Sequence, residues 1–121
     1  MTAACASVLV VEDDPIVLEF TAEVLAEGGL EVFRASSRDE AMAVLEQGNI
    51  PLVVVTDIGL QGQRAGLDLA RTVAERWPQI RLIIVSGEHR PVKEEFPEKA
   101  VFFTKPYAEG ALLSIINAPV W

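Results

Sequence analysis

The sequence predicts an α/β fold, a doubly wound five-stranded parallel sheet with helices on both faces. Short apolar runs alternate with amphipathic ones along the whole chain. Residues 8–11, 52–55 and 81–85 are almost unbroken aliphatic stretches, as expected of strands buried on both faces. Most of these runs stop at a polar residue, and helix-starting or turn residues follow.

The elements follow in order. Residues 8–11 form the first strand and end at Glu12, Asp13 and Asp14. Pro15 suits the first helical position, where its missing N–H costs nothing, and Asp14 suits the N-cap. Val17, Phe20 and Val24 recur at helical spacing, and Gly28-Gly29 ends the helix. Residues 31–35 read as the second strand. Ser37 with Glu40 three positions later predicts a capping box. Ala41, Val44 and Leu45 supply that helix's apolar stripe, and Gly48 stops it.

The third strand, residues 52–55, lies between Pro51 and Asp57. A glycine-rich loop, residues 59–66, leads to a helix over about 67–77, with Pro78 beyond its end. Residues 81–85 form the fourth strand and stop at Ser86-Gly87. Pro91 and Pro97 interrupt the next segment, so the helix expected there is short, irregular or missing. Residues 101–103 form the fifth strand, Thr104-Lys105-Pro106 follows, and a last helix covers about 108–117.

Bulk properties narrow the function. A chain of 121 residues, half of them apolar, fits one compact domain with a real core. A formal net charge of −8, with scattered basic residues, argues against a nucleic-acid partner, which needs clustered Lys and Arg. No apolar stretch reaches the ~18 residues of a membrane span. The N-terminus lacks the pattern of a signal peptide, and the one cysteine, Cys5, cannot form an internal disulfide. A cytoplasmic location is therefore expected.

Right-handed crossovers bring the carboxyl ends of parallel strands to one edge, where such sheets bind ligands. That edge receives Glu12 and Asp13 from strand one, Asp57 from strand three, Ser86 from strand four and Lys105 from strand five. Carboxylates about 5 Å apart repel by roughly 3 kcal/mol per pair at an effective dielectric of ~20. A hard divalent cation relieves that cost, and Mg²⁺ commonly takes one or two carboxylates together with phosphate oxygens. With Lys105 beside them, the residues suit one further anion, a phosphoryl group. Asp57 is the best nucleophile, since carboxylates form acyl phosphates. The hydroxyl of Ser86 is suited to donate to a phosphoryl oxygen.

The run Val-Val-Glu-Asp-Asp-Pro at 10–15, Thr56-Asp57, Ser86-Gly87 and Lys105-Pro106 together resemble the receiver domains of bacterial two-component response regulators. The resemblance extends from Val8 to about Ile116 and rests on the ordered set rather than on any one motif. It implies the flavodoxin-like strand order 2-1-3-4-5 and a single receiver domain over residues 1–121. It implies Asp57 as phosphoacceptor and Mg²⁺ held by Asp13 directly, by Glu12 through water, by Asp57 and by the backbone carbonyl of Gly59. It implies Ser86 as switch hydroxyl, Lys105 as phosphate-binding lysine and Phe102 as the aromatic that turns inward on activation. Glu88 falls where the family tunes dephosphorylation. The implied donor is a histidine kinase or histidine phosphotransfer protein, and the output is contact with a downstream protein or a second copy in a homodimer. No catalysis is implied beyond the domain's own phosphorylation and dephosphorylation. Two departures stand out: the loop after Asp57 is one residue longer than usual and carries Gln61 where proline is common, and the segment between Ser86 and Lys105 is short.

Each feature also has a plainer reading. An acidic run suits a helix N-terminus, an aspartate or Ser-Gly suits a turn, and a lysine suits a solvated strand end. Phe102 can be simple packing, and His89 is expected to be a surface loop residue. Four strand ends carrying the set together favour the phosphoryl reading. A pseudo-receiver, the same fold working as an interaction module without phosphorylation, is the main alternative. A haloacid-dehalogenase-type phosphatase wants a second aspartate two residues after the first, where this chain has Gly59. A flavodoxin wants a Ser/Thr-rich phosphate loop where this chain is acidic.

Overall fold

The computed structural model describes residues 6–58, 65–86, 96–104 and 109–117. Their elements run β1 (Ser7–Val11), α1 (Pro15–Glu27), β2 (Glu31–Ala35), α2 (Arg38–Glu46), β3 (Val53–Asp57), α3 (Ala65–Arg76), β4 (Arg81–Ser86), β5 (Val101–Thr104) and α4 (Glu109–Ile116). The sheet has the order β2-β1-β3-β4-β5, with every neighbouring pair parallel. This is the doubly wound, flavodoxin-like arrangement the sequence predicts.

Alternation along the strands builds two cores. Leu9, Val11, Val54, Leu82 and Ile84 face α2 and α3. Val8, Val10, Val53, Val55, Ile83 and Val85 face α1 and α4. Each aliphatic side chain fully buried this way contributes about 1.5–3 kcal/mol. The two-residue period of a strand thus turns one continuous apolar run into cover for both layers.

Helix ends follow the capping residues. Asp14 Oδ1 accepts from the N–H groups of Ile16 (2.9 Å) and Val17 (3.4 Å). Ser37 Oγ accepts from Glu40 N–H at 3.1 Å, and the Glu40 carboxylate accepts from Ser36 N–H at 2.8 Å. These bonds satisfy N–H groups that a helix start leaves without partners. Past the end of α1, Gly29 adopts φ +96°, a left-handed conformation that glycine takes without strain.

The stripe of α1 that packs inward is Leu18, Thr21, Ala22 and Leu25, whereas Phe20 is 52% exposed. Apolar spacing established the helix but not its phase; the Asp14 cap and the sheet fix that. One local expectation is corrected: the loop after β3 is shorter than 59–66, because Ala65 and Gly66 already belong to α3. Gly66 is a poor helix former, and tertiary contact outweighs its propensity there.

The irregular helix expected between β4 and β5 falls on residues 87–95, outside the described residues. The described end of that crossover, residues 96–100, is a turn in which Ala100 N–H donates to Pro97 O at 3.0 Å. Phe96 there is buried in the α2–α3 core, and its ring meets Phe102 edge-on at 5.4 Å. Phe96 thus adds an aromatic ring to the core on the α2–α3 face of the sheet.

Candidate functional site

The carboxyl edge of the sheet collects the acids. Glu12 follows β1 directly, and its N–H donates to Ala35 O at 3.0 Å, extending the ladder toward β2. Only 6% of Glu12 is exposed, and its Oε2 accepts from Asp14 N–H at 3.1 Å. Asp13 follows, half-buried. Asp14 has a different task, capping α1. Asp57 closes β3 in register with Val85, two strands from β2.

Carboxylate oxygens of Glu12, Asp13 and Asp57 all lie within 4.8 Å of one another. Ligands at ~2.1 Å around an octahedral cation are separated by about 3 Å when adjacent and about 4.2 Å when opposite. The cluster is therefore only slightly wider than the shell of one Mg²⁺, and its all-oxygen donors match that hard ion. The buried Glu12 charge gains most, because burial leaves it little water.

The peptide after Asp57 is held on two sides. Ile58 N–H donates to Val85 O at 2.9 Å, and Thr56 Oγ1, fully buried, donates to Asp57 O at 3.2 Å. Gly66 lies against the same peptide: a Cβ there would stand 2.6 Å from Asp57 O and 2.8 Å from Ile58 Cα.

The structure thus brings together Glu12, Asp13 and Asp57. The Ser86 backbone ends β4 beside Thr104 of β5, at the same edge. The Ser86 side chain, Gly59, Glu88, His89 and Lys105 lie outside the described residues. Phe102 pairs with Ile84 and is half-buried against Phe96. Sequence reasoning named Thr56 and Gly66 without their contacts to the Asp57–Ile58 peptide, and it missed Phe96. A glycine inside a helical pattern, and one aromatic in the charged stretch Lys-Glu-Glu-Phe-Pro-Glu-Lys, were the available signals.

An open parallel α/β sheet in this strand order defines a flavodoxin-like fold, a class that binds ligands at the carboxyl edge, where the acids gather here. Residues 8–117 match the response regulator receiver domain, and the chain belongs to that family. It is 26% identical over 113 residues to the phyllosphere-induced regulator PhyR of Methylorubrum extorquens, a match covering 91% of this chain and 42% of the relative. The chain therefore spans less than half the length of that relative. A response regulator receiver protein from Sinorhizobium medicae superposes with a TM-score of 0.84 at 24% identity, covering 97% of this chain and 98% of the other. A response regulator receiver domain protein from Clostridium thermocellum gives 0.80 at 27% identity, covering 93% and 91%. Among the described residues, no helix is long and apolar enough to cross a membrane.

Proposed function

We propose that this receiver domain is a phosphorylation-dependent switch in which Asp57 accepts a phosphoryl group from a histidine kinase or histidine phosphotransfer protein with Mg²⁺ present. The observation that carries this reading is the convergence of Glu12, Asp13 and Asp57 within 4.8 Å at the carboxyl edge. Asp13 and Asp57 would hold the ion directly, Glu12 through water, and Gly59 through its backbone carbonyl. The bound ion supplies charge neutralisation on the equatorial phosphoryl oxygens.

The remaining chemistry belongs to the chain. An Asp57 carboxylate oxygen attacks phosphorus in line, the O–P bond forms and the donor's P–N bond breaks. The electron pair returns to the imidazole nitrogen, and the product is a mixed anhydride on Asp57. Lys105 pairs with the added negative charge, and Ser86 donates a hydrogen bond to a phosphoryl oxygen. Both interactions exist only in the phosphorylated state, so they bias the loops after β3 and β4 toward a second arrangement. Phe102, three residues before Lys105, moves with them. The output is contact with another protein in the cytoplasm, and the only chemistry the domain performs is on its own Asp57.

A small-molecule phosphodonor with Mg²⁺, followed by intact mass, tests this. Wild type should gain one phosphoryl group and Asp57→Asn none. Labelling of Asp57→Asn would overturn the site assignment. No gain on wild type, where a known receiver is labelled, would favour an interaction module that works without phosphorylation.

A further inference from the structure

Close approach of α3 to the end of β3 singles out one residue that the acid-based chemistry does not include. A Cβ on Gly66 would meet only backbone: Asp57 O at 2.6 Å, Ile58 Cα at 2.8 Å and Ile58 O at 3.0 Å. Backbone cannot swing aside. At Gly28 the added atom would instead meet the Leu113 side chain, at 2.6 Å from Cδ2, and a leucine can change rotamer. Of these two tightly packed glycines, only Gly66 has no inexpensive way to accept a side chain.

What Gly66 touches is the peptide plane that leaves Asp57. The N–H of that plane is fixed by Val85 O and its carbonyl by Thr56 Oγ1. Gly66, in the first turn of α3, closes the third side. The plane is thus fastened to β4, to its own strand and to a helix. Turning it would turn the Asp57 backbone and carry its carboxylate away from Glu12 and Asp13. It would also redirect the chain toward Gly59.

We propose that Gly66 is a positioning residue for Asp57, with Thr56 as its partner: the missing side chain lets α3 press on the Asp57–Ile58 peptide and so holds the three carboxylates in one cluster. This rests on the reading of Asp57 as phosphoacceptor. It follows that Gly66→Ala damages the site more than the fold. A misplacement near 1 Å typically costs about 100-fold in rate, and loss of a group that orients a metal ligand costs about 10- to 100-fold in affinity.

The test compares Gly66→Ala with Leu112→Val, a change in the core on the far side of the sheet, where Leu112 is fully buried. Melting temperature, Mg²⁺ affinity by calorimetry, and the rate of phosphoryl gain from a small phosphodonor over a range of concentrations are measured on each full chain. Gly66→Ala should bind Mg²⁺ about tenfold more weakly and label about 10- to 100-fold more slowly. The loss should appear in the maximal rate. Leu112→Val should melt earlier yet keep both site properties.

Thr56→Val, which keeps the shape and removes the donor, should slow labelling in the same sense, and Thr56→Ser should recover most of the rate. This pair decides the matter if Gly66→Ala does not fold. Wild-type rate and Mg²⁺ affinity in a folded Gly66→Ala, or equal losses in Leu112→Val, would overturn the proposal. With Gly66→Ala unfolded, a Thr56→Val protein that labels like wild type would do so. A wild type that takes no phosphoryl group would instead sink the phosphoacceptor reading itself.

Discussion

The two edges of the sheet solve opposite electrostatic problems. At the carboxyl edge, three acids from two strand ends crowd within 4.8 Å, and one of them, Glu12, is buried. At the amino edge, Lys99 Nζ donates to Pro78 O and, at 2.7 Å, to Ile80 O, just where α3 gives way to β4. There a cation donates to two carbonyls of the turn between α3 and β4. Burial of the amine pulls the Lys99 pKa below the usual lysine range. A cavity of about 280 Å³, lined by Pro78, Ile80, Arg81, Lys99 and Val101 among others, opens beside it. One edge places like charges together and weakens the fold; the other places a charge against dipoles and strengthens it. Under the proposed function, the costly edge is the one that carries the phosphoryl chemistry.

The largest way to break this contrast is Asp57→Asn, read by stability rather than by labelling. Removing one of three neighbouring charges removes two repulsions, which outweigh the other interactions that Asp57 makes. Each is about 3 kcal/mol at ~5 Å in an effective dielectric of ~20. Salt and partial exposure reduce the net gain to about 1–2 kcal/mol. Without Mg²⁺ the variant should melt about 3–8 °C higher than wild type. Adding Mg²⁺ should raise wild type and narrow the gap, since an ion that binds only the folded state stabilises it. A variant that melts at or below the wild-type temperature in metal-free buffer would show that the edge carries no repulsive strain.

At the opposite edge the sign reverses. Lys99→Met keeps the apolar stem and removes both donated bonds. Hydrogen bonds from a charged group contribute about 1.5–3 kcal/mol when well shielded, and about 1 kcal/mol is expected at this exposed site. Melting should fall by about 2–5 °C while phosphoryl gain keeps the wild-type rate. A slowed rate would show that the two edges are not independent.

How much of this was legible depended on what each residue answers to. Val8 to Val11 and Leu82 to Val85 announce buried strands because both of their faces meet core. The acids at 12, 13 and 57 could be assembled from sequence because strand ends in a parallel sheet share an edge whatever the packing details. The phase of α1 was not read because its apolar residues spread beyond one narrow stripe, and the sheet decides which of them turn inward. Gly66 read as loop because its helical position is set by contact with Asp57 and Ile58, far from it in local pattern. Phe96 hid among charges because its partner, Phe102, lies on another element. Local chemistry was readable; close approach between elements was not.

The smallest expected effect lies at the carboxyl edge itself, outside the three-acid cluster, and checks that the contrast is about crowded acids, not about acids in general. Glu40 is an acid with donors around it: Ser36 N–H reaches its carboxylate at 2.8 Å, and this bond holds its pKa below the ordinary 4.5. A carboxyl whose pKa is lower in the folded state binds fewer protons there than in the unfolded chain. Its stabilisation is therefore present above the ordinary value and disappears as pH falls through the lower folded one. Glu40→Gln keeps an acceptor without the charge. It should melt slightly below wild type at pH 7, and the difference should close as pH drops below 4.5 toward the folded value. Asp57→Asn predicts the opposite sign at neutral pH, with the variant above wild type. If both amide variants raised melting there, overall negative charge rather than local geometry would govern the stability of this domain.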